Sequence, residues 1–144
     1  MPDINDAYAN AAFIDGASDF PPRWAAESEG LREGLGGRAE LGVSYGPSTR
    51  QAYDFFHPEG ASKGTLIFAH GGYWRMFDRS SWSFLAKGAL ANGWAVAMPS
   101  YDLCPSVRIR DITAQVVQAV TIAAEEVQGP IRLTGHSAGG HRHF

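Results

Sequence analysis

At 144 residues the chain has the length of one domain, with enough residues to bury a real core. Its content of 44% hydrophobic and 19% charged residues fits a globular protein, and a net charge of −3 gives no electrostatic reason to expect nucleic acid or an anionic membrane as partner. A single cysteine, Cys104, excludes an internal disulfide and suits a reducing compartment, so a cytoplasmic location is expected.

The N-terminal "MPDINDAYANAAFIDG" contains acids and no basic stretch ahead of an apolar core, so it does not read as a secretory signal. No window approaches the apolar length of a membrane span. "PPRWAAESEGLREGLGG" predicts a helix. Pro22 suits its first turn, where a missing N–H does no harm, and Gly36 and Gly37 stop it. "AELGVSYG" and "QAYDFFHPEG" predict two strands joined by the turn-rich "GPST", a hairpin at a sheet edge.

The pattern then changes. "TLIFAH" (65–70) is a short continuous apolar run, as expected of a strand covered on both faces. "SSWSFLAKGALANG" predicts a helix closing at Gly93, and "WAVAMPSY" a second buried strand. "RDITAQVVQAVTIAAEEV" carries a helical stripe of Ile112, Val116, Val120, Ala123 and Val127, with Gln115, Gln118, Glu125 and Glu126 off it. "GPIRLTGH" predicts a third buried strand, and "SAGGHRHF" the start of another helix. Such alternation specifies parallel strands, helices on both faces and right-handed crossovers. Ligands on these sheets collect at the carboxyl ends of the strands. "HGGYW", "YDLCP" and "GHSAGG" all fall there.

Two of these motifs carry chemistry. Gly135-His136-Ser137-Ala138-Gly139 is a G-x-S-x-G match at a strand-to-helix junction. A nucleophilic serine there must stand at the tip of a tight turn, and bulky residues two positions either side would strike the neighbouring strand and helix. The helix beginning after Ser137 would aim free N–H groups at the reacting centre, the N–H of Ala138 among them. His70-Gly71-Gly72-Tyr73-Trp74 closes the first buried strand. Its glycines would let the N–H of Gly72 or Tyr73 face a developing oxyanion. His70 reads as a structural histidine that packs the loop, and His136 as locally hydrogen-bonded. Trp74, Trp82 and Phe84 read as core or pocket wall. Tyr101 and Asp102 could line a pocket or sit on an exposed turn. Cys104, with no base beside it, reads as a small buried hydrophobe.

On these residues the chain resembles the α/β-hydrolase superfamily and, within it, the kynurenine formamidase (arylformamidase) and related carboxylesterase group. The aromatics after the glycines in "HGGYW", together with "YDLCP", "GHSAGGH", "YANAAFIDG" and "SYG…YDFFHPEG", carry the resemblance over roughly residues 5–141. It implies a nucleophile at Ser137, an oxyanion hole at Gly71, Gly72, Tyr73 and Ala138, and supporting roles for His70, Trp74, Gly135, His136 and Gly139. It also implies small ester or formyl-amide substrates, an acyl-enzyme hydrolysed by water, and no metal or other cofactor.

In that superfamily the acid and the base follow the nucleophile. Only His141 and His143 follow Ser137 here, and both lie on the segment leading away from it, so neither is expected to act as the base. The resemblance therefore implies a single incomplete domain, 1–144, equivalent to the N-terminal half of such a hydrolase through the nucleophile turn and nearly inactive alone. Most pocket walls would then lie outside it. Two other functions stay open: a non-catalytic pseudo-hydrolase or binding module, self-associating through an exposed sheet edge, and a lipase or peptidase on the same scaffold.

Overall fold

The computed structural model describes residues 3–142. An N-terminal segment of short turns, with helix α1 (Ile4–Ala7) and 3-10 turns at Asn10–Phe13 and Ala17–Asp19, leads into α2 (Phe20–Leu35). α2 begins with Pro21 and Pro22 in its first turn and ends at Gly36, whose φ of 52° reverses the chain. Strands β1 (Ala39–Ser44), β2 (Ala52–Phe56), β3 (Thr65–Ala69), β4 (Ala95–Pro99) and β5 (Ile131–Gly135) follow, with α3 (Lys87–Ala91) between β3 and β4 and α4 (Ile109–Ala123) between β4 and β5.

The five strands form one sheet in the order β1-β2-β4-β3-β5. β1 and β2 pair antiparallel across an irregular register between Glu40 and Val43, and β2 pairs antiparallel with β4. β4–β3 and β3–β5 are parallel. The hairpin therefore sits at one edge, as its sequence predicts.

Side chains alternate across the sheet with period two. Tyr53, Phe55, Ile67, Ala95 and Ala97 face Ala119 and Ala123 of α4. Phe56, Val96 and Met98 face Leu35 of α2 and Leu90 of α3. Helices thus cover both faces, and β2 and β4, covered on both, are buried throughout. One polar pair interrupts the apolar layers. Asp54 of β2 accepts from Arg79 Nε at 2.7 Å and from the Gly42 N–H at 2.8 Å, with only 4% of its side chain exposed.

Four expectations are corrected. The stretch 80–93 is not one helix but two 3-10 turns, Arg79–Ser81 and Ser83–Ala86, followed by the five-residue α3. Asp78 caps the first turn by accepting from the Ser80 N–H and hydroxyl, a local bond that competes with a continuous helix. α4 stops at Ala123, short of Val127. β5 is not buried, and Leu133 is 44% exposed, because no strand flanks its outer side among the described residues. After Ser137 comes a turn and then the 3-10 segment Gly140–Arg142, not an α-helix; the paired glycines 139 and 140 are poor helix formers.

Candidate active site

The parallel strands β3, β4 and β5 deliver their carboxyl ends to one edge of the sheet, where three loops meet. The β3–β5 ladder runs one step beyond the strands, since the His136 N–H donates to the Ala69 carbonyl at 3.1 Å. This places the loop after β3 beside the turn after β5. Ser137 sits on that turn with φ +52°, in the left-handed region that L side chains rarely adopt, and is exposed.

The flanking glycines allow the close approach. A Cβ on Gly139 would run into the Ala69 carbonyl oxygen and lie 2.6 Å from the His70 carbonyl oxygen. One on Gly135 would lie 2.6 Å from the Gly139 carbonyl carbon. A Cβ on Gly71 would lie 2.8 Å from the His136 carbonyl oxygen and 3.1 Å from Ser137 Cβ, so backbone of the first loop lies directly against the serine.

The loop after β3 is itself an unusual piece of backbone. Gly72 has φ +117°, and Tyr73, Trp74 and Phe77 have φ of 54°, 58° and 69°. Gly72 accepts from the Arg75 and Met76 N–H groups, closing a tight turn. Neighbours hold the shape. Arg50 reaches over from the hairpin loop and donates to the Tyr101 carbonyl at 2.8 Å and the Phe77 carbonyl at 2.5 Å. The Cys104 N–H donates to the Trp74 carbonyl. Among the described residues the N–H groups of Gly72, Tyr73 and Ala138 have no acceptor.

His70 is buried. Its ring stacks on Tyr101 at 4.4 Å and 6°, and its Nδ1 lies 2.7 Å from the Gly71 carbonyl oxygen. A carbonyl can only accept, so that contact puts a proton on Nδ1. The Tyr101 hydroxyl donates to the His70 carbonyl at 2.5 Å. Both residues therefore brace the loop, and Tyr101 is fully buried. Asp102 is likewise tied down, accepting from the Ser48 hydroxyl and the Gln115 amide. Nearby, burial and then the Asp102 charge push the Tyr45 phenol above its ordinary pKa. It stays protonated and donates to the Ser100 carbonyl.

His136 is locally hydrogen-bonded through its backbone, which donates to the Ala69 carbonyl and accepts from the Gly139 N–H. Its exposed ring lies beside Trp82, centroids 5.5 Å apart and tilted by 42°. The exposed ring of His141 meets the edge of Trp74. His143 lies outside the described residues. No histidine or carboxylate hydrogen-bonds the Ser137 hydroxyl among the described residues, and none of their His, Cys, Asp and Glu side chains group as metal ligands.

Beside Ser137 opens a cleft of about 460 Å³. Gly72, Tyr73, His136 and Ser137 form one part of its lining, and Phe77 and Trp82 another. Met76 of the loop after β3 joins them, and the remainder comes from the N-terminal segment and α2, including Ile14, Phe20 and Trp24. This chain thus contributes walls of its own to the cleft. Phe20 and Trp24 stand four apart on α2, a spacing that puts both rings on one face, and that was the available signal. Trp82 is wall, as expected. Phe84 lines a separate depression between α2 and α3, and Trp74 packs on the Tyr101–Ile112–Val116 cluster.

No protein-family model matches the chain. It is similar to curated kynurenine formamidases. The Drosophila melanogaster protein is 29% identical over 98 residues, covering 64% of this chain and 33% of that protein. The Salmo salar protein is 29% identical over 105 residues, covering 70% and 36%. Among solved structures, a Silicibacter sp. TM1040 protein provisionally described as a thioesterase superposes with a TM-score of 0.93 at 62% identity, covering 95% of this chain and 52% of that one. Esterase B from Lactobacillus rhamnosis superposes with a TM-score of 0.65 at 24% identity, covering 87% and 46%, a likeness of fold. The chain therefore spans about a third of the length of the curated relatives it matches and about half of the Silicibacter chain. The fold is that of an α/β-hydrolase, and the resemblance to the kynurenine formamidase and carboxylesterase group holds.

Proposed function

We propose that the chain carries the nucleophile and oxyanion-binding parts of a serine hydrolase acting on small ester or formyl-amide substrates. The carrying observation is Ser137 in a left-handed turn at the end of β5 with the Gly71 backbone against its Cβ. In this reading the Ser137 hydroxyl attacks the substrate carbonyl. The N–H groups of Gly72, Tyr73 and Ala138 receive the negative charge that develops on its oxygen. The alcohol or amine leaves with a proton, and water then attacks the acyl-serine, regenerating the hydroxyl and releasing the acid. Gly71 serves by admitting the two loops to each other, His70 and Trp74 by bracing the first, and Gly135 and Gly139 by admitting the turn. No cofactor is required.

The names of the relatives support hydrolysis of esters or formyl amides, and the Silicibacter neighbour favours acyl thioesters as a second substrate class for the same chemistry. No base is positioned on Ser137 among the described residues, and in this reading the acid and base come from elsewhere in the working enzyme. The test measures turnover of p-nitrophenyl acetate, N-formylkynurenine and an acetyl thioester by the protein as its cell makes it and by the 144-residue chain. Ser137→Ala is expected to lower turnover by about 10⁴-fold or more, and the 144-residue chain to stay near the uncatalysed rate. Undiminished turnover in Ser137→Ala would remove the serine from the mechanism. A rapid burst from the 144-residue chain would locate the base inside it.

A further inference from the structure

We infer that Trp24 is a specificity-determining residue of this site: its indole sets how long an apolar group the cleft admits beside Ser137. The inference rests on the hydrolase reading above and adds to it a residue far away in sequence. The argument starts from a chain of rings. Phe20 and Trp24 lie 5.9 Å apart, Trp24 and Trp82 lie 5.0 Å apart, and Trp82 and His136 lie 5.5 Å apart, centroid to centroid. His136 precedes Ser137, so two rings, those of Trp82 and His136, link Trp24 to the backbone of the serine turn.

Its position is held from several sides. Phe77 meets it edge-on at 6.2 Å, and Trp82 behind it is only 4% exposed. The Tyr73 hydroxyl donates to the Tyr8 carbonyl at 2.8 Å, tying the segment ahead of α2 to the loop after β3. The indole therefore cannot swing aside without breaking a packed aromatic cluster. Among the described residues the cleft's lining holds no Asp, Glu, Lys or Arg, and its polar side chains are those of Asn10, Tyr73, His136 and Ser137. A charged group would meet no carboxylate, ammonium or guanidinium there, and the walls of Ile14, Phe20, Trp24, Met76, Phe77 and Trp82 favour an uncharged, apolar group. With apolar walls, fit is decided by length and volume, and each methylene that gains a place strengthens binding about fourfold.

The test uses 4-nitroanisole and 4-nitrophenyl hexyl ether, which keep the shape of an ester probe but are not hydrolysed, bound to the protein and followed by equilibrium dialysis. Trp24→Ala is expected to raise the preference for the hexyl over the methyl ether at least tenfold, and Trp24→Phe, which keeps a ring in the cluster, by less. The ratio of turnover of p-nitrophenyl octanoate to acetate is expected to move the same way. A binding preference unchanged in both variants overturns the inference. If Trp24→Ala does not fold, Trp24→Phe decides, with a threefold change expected and none overturning it. The ethers read the wall without chemistry. A shifted preference with ester turnover indifferent to Ser137→Ala would sink the hydrolase reading and leave the Trp24 assignment standing.

Discussion

Gly139→Ala tests the geometry at its tightest point. The added methyl would run into the Ala69 carbonyl oxygen and come within 2.6 Å of both the Ala69 carbonyl carbon and the His70 carbonyl oxygen. All three belong to the backbone of β3 and its extension, which cannot rotate away as a side chain would. Overpacking in a core costs about 1–3 kcal/mol, and an unyielding backbone puts this case near the top, at about 3 kcal/mol. For a chain of 144 residues, an unfolding entropy of about 2.1 cal/mol/K per residue gives roughly 0.3 kcal/mol/K in total, so Tm should fall by about 10 °C. Gly30→Ala is the matched control. Nothing lies within 4 Å of its added methyl, and the position is inside α2, where alanine is the better helix former. It should gain about 0.5–1 kcal/mol. Thermal and urea unfolding followed by circular dichroism measure both. If the two variants shift Tm in the same direction, or Gly139→Ala stays within about 1 °C of the parent, the account of the flanking glycines is wrong.

Three further outcomes are expected. Tyr101→Phe removes the donor to the buried His70 carbonyl and should cost about 1–3 kcal/mol in urea unfolding. Arg79→Ala leaves the Asp54 carboxylate buried without its ion-pair partner and should cost about 3 kcal/mol or more, whereas Arg23→Ala, which breaks an exposed pair with Glu27, should cost under about 1 kcal/mol. Asp78 gives a pH dependence. Burial opposes its ionisation, but hydrogen bonds from the Ser80 hydroxyl and N–H, with Arg79 and Arg50 nearby, outweigh that and hold its pKa below the usual carboxylate range. A lowered folded-state pKa adds stability above the unfolded value and loses it as pH falls through the folded one. The deficit of Asp78→Ala, about 1 kcal/mol at neutral pH, should therefore narrow on acidification below about pH 4, read from unfolding curves at stepped pH.

Much of the architecture was legible because burial on two faces leaves a distinctive run of apolar residues. "TLIFA" and "AVAMP" could only be interior strands once helical stripes separated them, and the alternation set the topology. Gly36 was readable as a stop because a reversing backbone favours a residue without Cβ. Elsewhere competing local bonds decided the outcome. In 79–86 the Asp78 carboxylate takes the Ser80 N–H and hydroxyl, so a helical-looking apolar pattern breaks into short turns. Beyond Ser137 the paired glycines defeat helix formation. The cleft was the least legible part. Its glycine motifs announce themselves by spacing, whereas the four-residue spacing of Phe20 and Trp24 puts both rings on one face of α2 and tertiary packing alone decides what that face meets.

The loop after β3 holds Tyr73, Trp74 and Phe77 in backbone conformations that resist L-residues by about 1–2 kcal/mol apiece. Their mirror-image counterparts would adopt those torsions at ease. Semisynthesis with a D-residue at Trp74 would thus relax the main chain while swinging the indole away from its neighbours, and handedness becomes a dial that separates backbone comfort from ring placement.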